Sequence, residues 1–202
     1  MIAEAGLIAL WLAAALALLQ LMLCAIGLSK GQDKLFAAIR PVAIAQGILV
    51  SISFLLLVWL FVRSDMSVKL VVANSASMKP LIYKISGTWG NHEGSMLLWV
   101  AIMGMAGAAI GLFERTLKQR TLVTTLAAQA FISIGFYAFL LIASNPFERV
   151  FPVPEDGRGL NPLLQDVGLA LHPPTLYLGY VGLSIAFSFA VGAMINRDVG
   201  PD

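Results

Sequence analysis

Charge is what this sequence has least of. Only 12% of its 202 residues are Asp, Glu, Lys or Arg, where a soluble domain carries about 25%. So little charge cannot cover a water-soluble globule of this length, which excludes an ordinary soluble enzyme and a disordered chain. It also excludes nucleic acid as a partner, because that would need a basic patch. Histidine is scarcer still, with two residues, and there is a single cysteine, Cys24, inside an apolar run. A lone thiol forms neither an internal disulfide nor a CxxC redox pair, so Cys24 reads as a small buried hydrophobe. Any thiol chemistry would have to use a partner's cysteines. No Walker loop, GxSxG or HExxH motif is present, and no apolar run contains paired carboxylates.

What is present is apolar sequence. Hydrophobic residues make up 59% of the chain and the mean hydropathy is +0.86. Five stretches, about 6–28, 41–62, 94–113, 121–143 and 174–195, each reach the ~20 helical residues that cross a hydrocarbon core. None of them contains Asp, Glu, Lys, Arg or His. The expectation is an all-α integral membrane protein, a single membrane domain over 1–202 with about five transmembrane helices. The first stretch has no basic segment before it and is too long for a signal core, so it reads as a retained helix. Pro41 and Pro174 suit helix starts. Gly107-x-x-x-Gly111 and Ser184-x-x-x-Ser188-x-x-x-Gly192 suit close helix packing.

The connections alternate between short and long. The two short ones and the tail carry Lys30, Lys34, Arg40, Arg115, Lys118, Arg120 and Arg197 on very little chain. The long ones, 63–93 and 144–173, spread Arg63, Lys69, Lys79, Lys84, Arg149 and Arg158 over more than twice the length. The positive-inside rule then places the short connections and the C-terminus in the cytoplasm, and the N-terminus and long loops in the periplasm or its equivalent.

With no charge inside the spans, chemistry is expected in the outer loops. Both histidines precede a span on that side. His92 lies in Trp89-Gly90-Asn91-His92-Glu93-Gly94-Ser95, where His92 and Glu93 need not act on one atom. His92 is expected to be structural at the helix entrance. His172 lies in Leu171-His172-Pro173-Pro174, where the prolines fix φ and favour an extended residue before each of them. His172 is therefore expected just outside the helix start, either as a metal or haem axial ligand or as an interfacial hydrogen-bonding histidine. Upstream, Asn161 suits an N-cap and Pro162 the first helical position. Leu160, Leu163, Leu164, Val167 and Leu171 share a helical face, which predicts a short amphipathic periplasmic helix with Gln165 and Asp166 off its apolar stripe. Alternation over 68–73 predicts a short strand. Trp89 and Trp99 suit an interfacial belt.

The strings Pro80-Leu81-Ile82-Tyr83-Lys84-Ile85-Ser86-Gly87, Trp89 to Ser95, Leu160 to Asp166, and His172-Pro173-Pro174 with Tyr177 and Gly179-Tyr180-Val181-Gly182 resemble the CcmF/CycK family of cytochrome c-type biogenesis proteins. The resemblance runs over essentially the whole chain. It implies a haem-handling subunit of the cytochrome c maturation haem lyase. Such a subunit holds haem b delivered by the chaperone CcmE at the periplasmic face for covalent attachment to apocytochrome c. It implies His172 as an axial ligand to the haem iron. Trp89, Asn91, His92, Glu93, Gln165, Asp166, Pro173, Pro174 and Tyr177 become supporting candidates. Lys79, Lys84, Arg149 or Arg158 could meet propionates, although headgroup solvation is the simpler role. The family's tryptophan-rich WWD segment and further histidines do not occur here, so the chain is expected to be an N-terminal portion, inactive alone. Its implied partners are the C-terminal portion, CcmE, CcmH/CcmI, apocytochrome c and membrane lipid. Its implied home is the bacterial inner membrane, in preference to the mitochondrial one. The alternatives are a structural scaffold of that assembly without haem contact, or a small transporter module.

Overall fold

A computed structural model describes residues 1–198. Seven α-helices are described: α1 (Ile2–Lys30), α2 (Ile39–Val62), α3 (Lys69–Asn74), α4 (Leu81–Gly87), α5 (His92–Phe113), α6 (Gln119–Ile142) and α7 (Val167–Asn196). Five of them are long and apolar enough to cross a membrane. They match the five expected stretches, and no strand occurs among the described residues. The protein is a multi-pass membrane protein. α1 packs on α2 and α6, α2 on α5, and α7 on α5 and α6. α5 is the most enclosed, with 61% of its apolar stretch buried, and α7 the least, with 17%. α7 therefore presents most of its surface to lipid or to another polypeptide.

Helix α2 meets α5 at a backbone-to-backbone approach. A Cβ on Gly47 would lie 2.5 Å from the Gly104 carbonyl oxygen. This crossing, not Gly107-x-x-x-Gly111, is the tight one on α5: the nearest atoms to a Cβ on Gly107 and on Gly111 lie at 4.0 and 3.4 Å. The small-residue stripe of α7 does pack as expected. Ser188 Oγ donates to Gln129 Oε1 at 2.7 Å, and Gln129 Nε2 to Ser184 Oγ at 3.2 Å. Gly192 seats against Thr125 on α6.

The spans lack charge but not polarity. Gln20 donates to Gln46 at 2.6 Å and Gln46 donates to the Tyr137 hydroxyl at 3.1 Å, all three buried. An uncharged relay thus joins α1, α2 and α6, with its amides satisfied by one another rather than left unpaired in hydrocarbon.

The two ends of the bundle differ. One gathers both histidines, α3, α4 and the segment 143–166. Here Arg149 grips Glu4 through both carboxylate oxygens at 2.7 and 2.8 Å. The other end gathers the short connections, with Arg120 on Asp33 at 3.0 Å and Lys118 on Asp198 at 2.6 Å.

Three local expectations are corrected. Residues 69–74 form helix α3 rather than a strand. Burial falls on Val68, Leu70 and Val71, not on alternate residues, and only Val68 bridges to Arg149. The amphipathic helix expected over 161–171 is a single 3-10 turn, Pro162–Leu164, capped by Asn161 Oδ1 accepting from Leu163 N. Its stripe is divided, with Leu160 buried and Leu163, Val167 and Leu171 exposed. Finally, α7 begins at Val167, so His172, Pro173 and Pro174 lie inside a helix rather than ahead of it.

The α2–α5 crossing yields a prediction. Gly47→Ala should destabilise the protein by about 1–3 kcal/mol, because the opposing atom is backbone and cannot swing away. Gly135→Ala on α6, where nothing lies within 4 Å, should be neutral or stabilising. Thermal unfolding in detergent measures both, and equal midpoints for the two variants would contradict the packing account.

Candidate functional site

Residues Thr88 to Ser95 fold into a hydrogen-bonded turn that starts α5. Asn91 is its N-cap, accepting from Gly94 N at 2.7 Å and donating Nδ2 to Gly87 O at 2.7 Å. Ser95 Oγ donates back to Trp89 O at 2.7 Å. The two Asn91 bonds satisfy backbone groups that the α4 and α5 termini leave open, and the Ser95 bond serves the connection between them. The Trp89 ring is thereby fixed, stacked on Phe54 with centroids 6.4 Å apart.

Prolines inside α7 would ordinarily break it, since each removes one N–H from the helix ladder. Pro174 leaves the Ala170 carbonyl without its helical donor. Trp89 Nε1 donates to that carbonyl at 2.8 Å. One turn further back, Ala170 N donates to Asp166 O at 2.8 Å. Thr175 Oγ1 donates to His172 O at 2.8 Å. At the Ala170 carbonyl the start of α7 is thus held by a side chain where the backbone cannot hold itself.

This junction encloses a cavity of about 390 Å³. Its walls are α4 and the α5 start (Ser86, Trp89, Gly90, Asn91, His92, Ser95, Met96), the 3-10 turn (Leu160, Leu164) and α7 (Ala170, Pro173, Tyr177). Tyr177 leans on Trp99 at 5.2 Å. The buried Ser86 hydroxyl has no hydrogen-bond partner among the described residues.

Of the expected site residues, Trp89, Asn91, His92, Pro173 and Tyr177 meet at this cavity. Glu93, Gln165, Asp166 and Pro174 are not among its lining residues, although Gln165 Nε2 closes the turn by donating to Leu160 O at 3.0 Å. His172 is exposed on the adjoining turn of α7, and its ring has no hydrogen-bond partner among the described residues. His92 is the first residue of α5. Its Nδ1 lies 3.1 Å from Ser144 Oγ and its ring meets Phe139 edge-on at 5.3 Å, tying the α5 start to the α6 end. Sequence reasoning overlooked Ser86, Met96 and Ala170 as walls. The Leu160–Leu164 pair was visible in the apolar stripe, but as a membrane-facing feature.

Among the described residues, no Lys or Arg lines the cavity. Arg149 is committed to Glu4, Asp65 and Ser67. Lys79 donates to Asn74 O at 3.0 Å, and burial pulls its pKa down to about 8. Asp156 accepts from the Ser77 hydroxyl at 2.8 Å, and the Ser77 hydroxyl and amide hold its carboxyl below the usual range.

Lys79 makes stability depend on pH. Its charged form is penalised in the folded state, so the penalty is fully present below about pH 8 and gone above the ordinary value of 10.5. Stability should rise with pH across that window, and Lys79→Met should flatten the rise in detergent unfolding measured from pH 7 to 11. An unchanged profile in the variant would contradict the assignment.

A family model described as cytochrome C assembly protein matches residues 89–199. The chain is 53% identical over 196 residues to the cytochrome c-type biogenesis protein CycK of Bradyrhizobium diazoefficiens, covering 97% of this chain and 30% of that protein. It is 41% identical over 197 residues to the cytochrome c-type biogenesis protein CcmF of Escherichia coli, covering 97% and 30%. Among solved structures it resembles the cytochrome c heme lyase CcmF with a TM-score of 0.85 and 26% identity, over 98% of this chain and 31% of that one. The chain therefore spans about three-tenths of the length of these relatives.

Proposed function

From the premise that the chain belongs to the cytochrome c assembly protein family, and so takes part in cytochrome c maturation, we propose that it holds haem at a membrane surface for attachment to apocytochrome c. The observation that carries this reading is the setting of His172. An imidazole that is exposed, and has no partner among the described residues, stands on a helix start whose orphaned Ala170 carbonyl is held by Trp89, beside a mainly apolar cavity. These residues fit the group. An imidazole can ligate iron, Trp89, Met96, Leu160, Leu164, Pro173 and Tyr177 offer apolar surface to a porphyrin face, and Ser86 offers an unused hydroxyl.

In this account His172 would be one of the residues that hold the haem iron, and a histidine from the remaining portion of the assembly, which would also carry the WWD segment, would be another. His92 holds the α5 start against α6 instead of ligating. Haem, as haem b brought by CcmE, supplies the vinyl groups to which the apocytochrome thiols add, with CcmH/CcmI as accompanying partners. This chain contributes position and exclusion of water, not bond-making residues. The sparse, clustered cations of the short connections favour an orientation with the histidine end in the periplasm of a bacterial inner membrane.

The test is His172→Ala, co-expressed with the rest of the assembly and holo-CcmE. The Soret absorbance retained on purification and the cytochrome c yield should each fall about tenfold or more, since changes even outside the first ligand shell cost 10–100-fold at metal sites. Unchanged absorbance and yield at equal protein level would remove His172 from the site.

A further inference from the structure

At the end of the bundle opposite the histidines, two cavities adjoin. The first, about 590 Å³, is a cleft between α1, α6 and α7 walled by residues such as Leu21, Cys24, Ala128, Phe131, Phe187 and Val191. Thr124 is its single hydroxyl, already spent on the Arg120 and Thr121 carbonyls. The second, about 450 Å³, is polar and lined by Lys118, Arg120, Thr121, Asn196, Arg197 and Asp198. Ile195 walls both. At their junction Asn196 Nδ2 donates to Thr124 Oγ1 at 2.8 Å, one residue from each cavity.

We propose that this composite cleft is a binding site for one anionic phospholipid, with an acyl chain in the apolar part and the phosphate in the polar part. Length supports the fit. Along α6 the cleft runs from Thr124 to Ile132, about 12 Å of helix, against the ~15 Å of chain region in one leaflet. Charge supports the sign. Basic pockets between transmembrane helices are where anionic headgroups bind. Here Lys118 is paired to Asp198 at 2.6 Å and Arg120 to Asp33 at 3.0 Å. The guanidinium of Arg197 has no partner among the described residues. The α6 N-terminus adds to it, since Lys118 gives no side-chain cap and the first N–H groups of that helix lie beside the pocket. A zwitterionic lipid would fill the apolar part equally but would place its own cation beside these basic groups, which disfavours it.

The test uses the protein purified in mild detergent with whatever subunits accompany it. It is titrated with dioleoylphosphatidylglycerol or dioleoylphosphatidylcholine and read by native mass spectrometry. One phosphatidylglycerol should be retained in preference to phosphatidylcholine. Arg197→Gln should weaken its retention about fivefold, the scale of one basic residue at a headgroup. Ala128→Trp, which fills the apolar part, should abolish retention while the Arg197 pocket remains. Equal retention of the two lipids would overturn the proposal. So would retention unaffected by Ala128→Trp, or a cleft that retains no lipid because another polypeptide segment fills it.

Discussion

Pro174 has no N–H, so the Ala170 carbonyl one turn back has no helical donor, and the Trp89 indole takes that place at 2.8 Å. Two segments about eighty residues apart are joined by this bond. On one side is the α5 start, knotted by Asn91 and Ser95. On the other is the first part of α7, with its two prolines and His172. Without the indole, a buried carbonyl would lose its partner at the very turn that presents the imidazole. The cavity between them follows from the same join, because Trp89, Ala170 and Pro173 are all among its walls.

Within the long helices, buried amides find partners without charge. Gln20, Gln46 and Tyr137 form a linear relay across α1, α2 and α6, and Gln129 serves Ser184 and Ser188 between α6 and α7. Neutral amides in hydrocarbon cost far less than ions and still define which helix face meets which. The ion pairs seen among the described residues lie at the ends, where Arg149–Glu4 and Arg120–Asp33 tie loops to helix termini.

Much of this was legible in the sequence. Spans without charge announce themselves by hydropathy, and all five lie within a few residues of where composition placed them, apart from the start of α7. That start was misjudged because a local proline rule cannot know that an indole from another helix waits for the orphaned carbonyl. The segment 68–73 reads as a strand by alternation, yet a single bridge at Val68 leaves it no neighbouring strand to pair with, and helix α3 satisfies its backbone instead. The amides of Gln20 and Gln46 went unread because a lone glutamine in an apolar run carries no signal of its partner. At the site, the turn around Trp89 and Asn91 and the imidazole of His172 were visible as motifs. Their enclosure by Ser86, Met96, Leu160 and Leu164 depends on tertiary packing that no spacing reveals.

The central claim is that the indole of Trp89 stands in for the missing N–H of Pro174. A double-mutant cycle with Trp89→Phe and Pro174→Ala, read by unfolding in detergent, tests it. In the natural background Trp89→Phe should cost about 1–2 kcal/mol, the penalty of a buried carbonyl left unpaired. In the Pro174→Ala background, where residue 174 regains its own N–H, the same change should cost less than half as much. An equal cost in both backgrounds would contradict the account.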